Sequence, residues 1–121
     1  MTLLEVLTNA RTTLLAVHEH VFIRDAIPTD DNGQPVLPDR CMILDLIIDQ
    51  KVRDFESVYG SILLQIGCWS PSVAQSLTDL EAARAALEGT GDWDMVRVNG
   101  TQTDPSGYRG ATADFTALYD G

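Results

Sequence analysis

The side chains best suited to metal chemistry are His18 and His20, which lie two positions apart near the start of the chain. On a helix, positions i and i+2 point in different directions, and they align only on a strand. A structural zinc site needs four ligands, and this pair has no clustered third ligand beside it. The spacing therefore favours histidines that complement the carboxyl end of a helix, and we expect no metal site.

Two other groups of polar residues have the composition of a catalytic site. Asp45 and Asp49 fall on one face of a predicted strand, but about 13 Å would separate them, too far to share one ion or one proton. Ser70 and Ser72 lie where a helix begins and lack the Gly-x-Ser-x-Gly pattern of a nucleophile elbow. We therefore expect no catalytic residue and no cofactor. A small hydrolase remains an alternative, which would require a polar pocket.

Cys41 and Cys68 are the only cysteines, and each lies within an apolar, strand-like run. That placement favours two buried free thiols over a disulfide. Without a Cys-x-x-Cys pair, structural zinc is not expected.

The composition indicates a single folded domain over residues 1–121 with a strong acidic excess. Eighteen acidic residues against eight basic ones give a formal net charge of −10. This charge disfavours direct binding to nucleic acid or to anionic lipid. It is explained either by solubility alone or by an acidic surface that meets a basic partner. We also expect neither a signal peptide nor a membrane helix, since no apolar run approaches the necessary length.

Apolar periodicity predicts two helices and five strands in the order α-β-β-β-α-β-β. The predicted segments are a helix over 3–17, strands over 21–27, 41–49 and 56–69, a helix over 73–87, and strands over 93–98 and 111–119. A turn is predicted over 50–54. In the second helix, Val73, Leu77, Leu80, Arg84 and Leu87 recur at helical spacing, and Gly89 is expected to end the helix in a left-handed conformation. The predicted fold is α+β, a mainly antiparallel sheet of about five strands with both helices on one face.

Two surfaces are predicted to contact other proteins. The segment 25–39 contains Asp25, Asp30, Asp31 and Asp39 among three prolines, so it cannot form a central strand. It resembles a calcium loop only in composition. We expect a mobile acidic loop that either meets a basic partner or serves as a plain connector. The second surface is the mixed face of the long strand, where Tyr59, Leu63 and Trp69 are either interface anchors or packed under a helix.

Several residues together resemble a known family of phage proteins. They are Leu3, Leu4 and Leu7, then Ile27-Pro28, then Cys68-Trp69-Ser70 leading to the Ala-rich helix 82–89, and finally Tyr108-Arg109-Gly110 with Ala113-Asp114-Phe115. With the order of elements, they resemble the tail-terminator (tail-completion) proteins of long-tailed phages with flexible tails. The resemblance covers almost the whole chain and is carried by pattern rather than by a single diagnostic motif.

The resemblance implies a structural protein of the virion, made in the host bacterial cytoplasm and located at the neck end of the tail. Such proteins form a ring, usually hexameric, that caps the finished tail tube and ends its polymerisation. Its partners would be further copies of itself, the major tail-tube protein and the head–tail connector. The family has no catalytic residues, and the acidic 25–39 loop departs from its pattern. The alternatives are a head-closure or neck adaptor protein, or another non-enzymatic interaction module.

Overall fold

The computed structural model describes residues 3–53 and 58–120, with side chains described except at 3, 25, 47–53, 58–61 and 118–120. The chain forms two α-helices and a five-stranded sheet, which confirms the predicted α+β class. The elements are α1 (Leu3–Leu15), β1 (Val21–Ile23), one 3-10 turn (Arg24–Ala26), β2 (Cys41–Arg53), β3 (Val58–Ser70), α2 (Val73–Gly89), β4 (Asp94–Thr103) and β5 (Arg109–Asp120).

The strands lie in the order β1-β2-β3-β5-β4. Neighbours are antiparallel except for β1, which pairs in parallel with the start of β2. The sheet is therefore mixed. The connection over residues 24–40 returns the chain to the level at which β1 starts, so that β2 runs in the same direction as β1. β1 is three residues long, and it covers only Met42, Ile43 and Leu44 of β2.

Both helices pack on one face of the sheet, which we call the helix face. Directly paired residues of neighbouring strands point to the same face, and the row Leu44, Ile66 and Ala113 shows the pattern. All three are fully buried. The helices complete this core with Val6, Ala10 and Leu14 from α1 and Leu80, Ala83 and Leu87 from α2.

Strand β2 extends beyond the predicted segment and is bulged. It continues to Arg53, so the predicted turn is wrong over residues 50–53, while residues 54–57 lie outside the described part of the chain. A shift of register between Leu46 and Ile48 pairs Asp45 with Gln65 but Asp49 with Ile62. An extra residue in one strand breaks the alternation of faces. Asp45 shares a face with Gln65, whereas the side chain of Asp49 lies outside the described part of the structure, so the single face predicted for the two aspartates stays a prediction.

Helix α2 presents only part of the predicted face to the core: Leu80 and Leu87 are buried as predicted. Val73 and Leu77 are about 40% exposed, whereas Ser76 and Asp79 are buried with Leu80. Ser72 begins the helix, and its hydroxyl accepts a hydrogen bond from the backbone N–H of Gln75.

Two predicted helix ends also need correction. Gly89 is still helical, and the left-handed residue is Gly91, with φ of 80°. Helix α1 ends at Leu15, not at Val17.

Candidate functional site

The face of the sheet opposite the helices, which we call the open face, is covered at one end by Trp69. The ring lies over Gly67, two residues before Trp69 on β3, and over Gly110, the residue of β5 that is paired with Trp69. A Cβ atom added at Gly67 would lie 2.7 Å from Trp69 Nε1, and one added at Gly110 would lie 2.6 Å from Trp69 Cζ3. Both distances are shorter than van der Waals contact. The two glycines therefore provide the flat floor on which the indole rests.

Tyr108 fixes the end of the acidic loop beside this ring. Its hydroxyl lies 3.0 Å from the carbonyl oxygen of Pro38 and 3.3 Å from that of Leu37, to which it can donate. Burial raises the pKa of Tyr108, so the hydroxyl keeps its proton at neutral pH. Between loop and sheet lies a groove of about 520 Å³, lined by Arg24, Pro35, Leu37, Ile43, Trp69 and Tyr108. An apolar floor with a polar rim is typical of a site for a partner's side chains.

Farther along the open face, a buried carboxylate holds the edge strand β4 to β5. Asp114 is 1% exposed and accepts hydrogen bonds from Arg97 Nε at 2.7 Å and from Asn99 Nδ2 at 3.0 Å. Both donors lie on β4, which is bulged on either side of Arg97. The bonds compensate for burying the charge and give β4 a fixed position.

A second buried carboxylate, Asp79, joins three parts of the fold. It accepts two hydrogen bonds from Arg40, at the start of β2, and one of 2.9 Å from Gln75 Nε2 on its own helix. His18, in the turn after α1, places Nε2 3.4 Å from Asp79 Oδ2. Burial alone would raise the pKa of Asp79, but the bonds from Arg40 and Gln75 outweigh it and hold the pKa below its usual value.

The protonation of His18 follows from its contacts. Its Nδ1 accepts a hydrogen bond of 3.1 Å from the backbone N–H of His20, so a neutral ring carries its proton on Nε2, facing Asp79. Burial is the largest influence on His18 and lowers its pKa, against the opposing effect of Asp79. His18 is therefore neutral at pH 7, and its Nε2 faces the buried carboxylate at 3.4 Å without a hydrogen bond of good geometry.

The side chains of His18 and His20 do not point toward a common position, as two ligands of one metal ion would. The side chain of His20 is 45% exposed and stacks on Phe22, while His18 is buried against α2. Among the residues that the structure describes, no three His, Cys, Asp or Glu side chains are grouped closely enough to hold a metal ion. The expected role as a complement to the end of α1 is also wrong for His18, because its side chain faces Asp79 instead.

The acidic segment contains an internally bonded turn. Asp30 Oδ1 accepts hydrogen bonds from the backbone N–H groups of Asn32 and Gln34, at 2.9 and 3.0 Å. Thr29 and Pro35 form an antiparallel bridge across the turn, and Gly33 has the positive φ of 77° that the turn requires. Asp30 thus shapes the turn as well as carrying charge.

The predicted interface residues lie at separate places. Trp69 lines the groove of the open face, and Asp30 and Asp31 lie in the exposed turn. Asp39 lies beside a hollow of about 530 Å³ next to Arg40, at the other side of the loop. The side chains of Asp25 and Tyr59 lie outside the described part of the structure. Sequence reasoning missed Arg40 and Asp79, which carry no recognisable spacing, and it named Tyr108 only as part of the resemblance, not as a site residue.

Both cysteines are free and buried, as predicted. Cys41 pairs with Trp69 on the open face, whereas Cys68 pairs with Met42 on the helix face. Thiols on opposite faces of a sheet cannot join in a disulfide.

Exposed apolar side chains lie at both lateral ends of the sheet. At the β1 end, Leu4 and Val17, in and just after α1, are 70% and 45% exposed. At the other end, Val96 and Val98 on the edge strand β4 are 55% and 52% exposed. The exposed apolar side chains at the two ends therefore differ: at the β1 end they lie at the start of α1 and after its end, whereas at the other end they lie close together on β4.

None of the helices that the structure describes is long and apolar enough to cross a membrane. Comparison with models of known protein families finds no match, and comparison with curated proteins finds no significant relative.

Proposed function

We propose that this chain is a structural protein of a phage virion that assembles into a ring, caps the tail tube, ends its polymerisation and forms the tail side of the head–tail junction. The observation that carries the proposal is the pair of unlike apolar surfaces at opposite ends of one sheet, at Leu4 and Val17 and at Val96 and Val98. Its second support is the resemblance to tail terminators.

Unlike surfaces at opposite ends favour a ring over a two-fold dimer. A two-fold contact joins a patch to its own copy, whereas head-to-tail contact joins two different patches and closes into a ring when the rotation permits. Valines on an edge strand are a typical site for association, because the strand also presents unpaired backbone groups. Apolar contacts of this kind can hold together subunits that each carry a net charge of −10.

The buried polar groups also suit a scaffold. Asp79 accepts hydrogen bonds from Arg40 and Gln75, and Asp114 accepts them from Arg97 and Asn99. These hydrogen bonds link strands and helices to one another, and such links suit a ring subunit that must withstand mechanical force.

A second candidate function, a head-closure or other neck adaptor, is favoured by the groove of the open face. Its aromatic floor at Trp69 and Tyr108 would accept an extended segment of a connector protein. A ring that binds connector but not tail tube would favour this alternative.

The decisive experiment images the purified protein by electron microscopy and weighs it by mass photometry over a concentration series, alone and with the major tail-tube protein. We expect rings with a central pore and a ring at one end of each tube. A protein that stays monomeric at every concentration, with and without tube protein, would refute the proposal. Val96→Lys with Val98→Lys should suppress rings. Val36→Lys, at a 51% exposed valine of the acidic turn, is the matched control.

A further inference from the structure

The groove between the acidic loop and the open face contains a hydrogen-bond donor that has no acceptor. The Nε1 edge of the Trp69 ring lies over Gly67, which is paired with Ile43 in the wall of the groove. In the described part of the chain, no group accepts a hydrogen bond from Trp69 Nε1, and this nitrogen is open to solvent. The indole N–H is therefore available to a carbonyl oxygen of a bound partner.

The backbone acceptors beside the ring are already used within the protein. The carbonyl oxygens of Leu37 and Pro38 lie 3.3 and 3.0 Å from the hydroxyl of Tyr108, which donates to them. The apolar side chains of Pro35 and Ile43 line the same groove. Aromatic and apolar walls with a free donor suit a segment whose backbone offers carbonyl oxygens but few N–H groups. Proline is the residue that has no backbone N–H.

A polyproline II segment fits this groove better than a strand or a helix. Trp69 and its floor lie on β3 and β5, which both have strands on either side, so no further strand can pair there. A helix uses most of its carbonyl oxygens in its own hydrogen bonds. A polyproline II segment has no internal hydrogen bonds, and its prolines pack on aromatic side chains.

The charge at the rim of the groove indicates a basic partner. The hydrogen bonds that Asp104 accepts from the hydroxyl of Ser106, at 2.6 Å, and from its backbone N–H, at 2.8 Å, lower the pKa of this carboxyl. Asp104 is therefore charged at neutral pH. The cation of the rim, Arg24, is already paired with Asp45. A lysine or arginine of the partner complements the remaining negative charge.

We infer that the groove of the open face binds a proline-rich, basic segment of another protein in the polyproline II conformation. Its prolines lie against Trp69 and Tyr108, one of its carbonyl oxygens accepts from Trp69 Nε1, and its basic side chain meets Asp104. The site belongs to a single subunit. The inference therefore goes beyond the proposed ring and does not depend on it.

The fluorescence of Trp69 tests the inference. Trp93, the other tryptophan, is 5% exposed in the core, so a change on titration reports mainly on Trp69. The probe is a synthetic peptide with the pattern Pro-x-x-Pro followed by two arginines. Two matched peptides carry alanine for each proline or glutamate for each arginine. We expect a saturable blue shift with the first peptide and at least about tenfold weaker binding of each matched peptide.

Three variants separate the groove from general attraction to an acidic protein. Asp104→Asn removes the charge but keeps an oxygen for the bonds from Ser106, so binding should weaken several-fold at low salt and little at high salt. Glu81→Gln, at an exposed position of α2, should bind as the parent does. Trp69→Phe keeps an aromatic ring and removes the N–H, so binding measured by calorimetry should weaken.

The outcomes distinguish the groove from the ring. No response to the proline–arginine peptide, or equal binding of the alanine peptide, would overturn the inference. Equal weakening in Asp104→Asn and Glu81→Gln would also overturn it, because the attraction would then be general. A blue shift that grows with protein concentration alone would assign the groove to a second copy of the chain. Mass photometry decides the ring separately, so either proposal can fail while the other stands.

Discussion

At the scale of single residues, Asp79 has the widest influence on the fold. Its carboxylate accepts hydrogen bonds from Arg40, next to the start of β2, and from Gln75 on α2. His18, in the turn after α1, lies 3.4 Å from the same carboxylate. These groups come from distant parts of the sequence, so the cluster joins the carboxyl side of α1 to the sheet through α2. It also sets the position at which the acidic loop ends, because Arg40 directly follows that loop.

Removing the carboxylate should destabilise the protein strongly. Asp79→Ala leaves Arg40 and Gln75 without their acceptor and removes the charge that faces His18, and we expect a loss of about 2–3 kcal/mol in the free energy of unfolding. Arg24→Ala is the control, since Arg24 makes a bidentate pair with Asp45 but is 53% exposed. Its loss should stay below about 1 kcal/mol. Urea unfolding measures both, and equal losses would contradict the special role of Asp79.

The same cluster should make stability depend on pH. Burial lowers the folded-state pKa of His18 below its ordinary value of 6.5, so the unfolded chain binds a proton more readily than the folded one. Stability is then fully present above about pH 6.5 and falls as the pH drops through the window below it. The lowered pKa of Asp79 acts in the same direction, below its ordinary value of 3.8.

We therefore expect His18→Asn to flatten the decline in stability between pH 7 and about pH 5. The exposed His20 supplies the matched control, and His20→Asn should retain the parent's slope. The measurement is the midpoint of urea unfolding at a series of pH values. The slope of stability against pH does not change if the substitution lowers stability equally at every pH. An unchanged slope in His18→Asn would assign the pH dependence to other groups.

At the scale of elements, the indole of Trp69 and the two glycines below it form one packing unit. Gly110→Ala would push a methyl group into Trp69, and we expect it to cost about 1–3 kcal/mol of stability. Replacing the indole should remove the clash, so Gly110→Ala in a Trp69→Leu background should cost much less. Thermal unfolding of the four proteins gives the coupling between the two sites. Additive losses would mean that the ring does not rest on Gly110.

Gly89 provides a control in which replacing glycine by alanine is expected to stabilise the protein. Gly89 is helical, has no positive φ, and a Cβ atom there would meet nothing within 4 Å. Gly89→Ala should therefore raise the free energy of unfolding by about 0.5–1 kcal/mol, because alanine loses less backbone entropy in a helix. A rise in the melting temperature would show that the loss in Gly110→Ala comes from the site and not from the change of residue type.

The elements were largely predictable, whereas the polar contacts between them were not. Alternating residues such as Ile62, Leu64 and Ile66 fix the strand and its buried face, because sheet geometry has a strict period of two. On α2 the same reasoning chose Val73 and Leu77, yet Ser76 and Asp79 are buried there. Ser76 donates a hydrogen bond to the backbone carbonyl oxygen of Arg109, and Asp79 accepts from the Arg40 guanidinium, 33 and 39 positions away in the sequence.

The candidate interface residues were chosen by residue type, and their surroundings could not be predicted. An aromatic residue at the end of a strand predicted contact with another protein, which stays a prediction; in the structure Trp69 lines a groove. Its glycine floor depends on the pairing of β3 with β5, which the sequence alone does not give. Likewise, the role of Asp30 within the turn depends on backbone N–H groups, which have no signature in residue type.

At the scale of the whole molecule, the exposed apolar side chains and the acidic turn lie on different parts of the surface. The apolar residues proposed for self-association lie at the ends of the sheet, while Asp30 and Asp31 lie in a turn outside it. A ring could therefore form through the sheet edges and leave its acidic turns free for a basic partner. Self-association and partner binding should then respond differently to salt, since apolar contact does not weaken when charges are screened.

The acidic turn provides the test of that division. Asp30→Asn with Asp31→Asn removes two negative charges, and the amide oxygen at position 30 can still accept the bonds that Asp30 accepts from Asn32 and Gln34. We expect unchanged folding and ring formation but slower association with the tail tube or connector, with the greatest loss at low salt. Glu81→Gln with Asp92→Asn removes the same charge from exposed positions on and after α2, and should have a smaller effect. Association rates measured by surface plasmon resonance across a salt series test whether the acidic turn speeds association with a partner. If both double variants associate as the parent does at every salt concentration, the turn is only a connector.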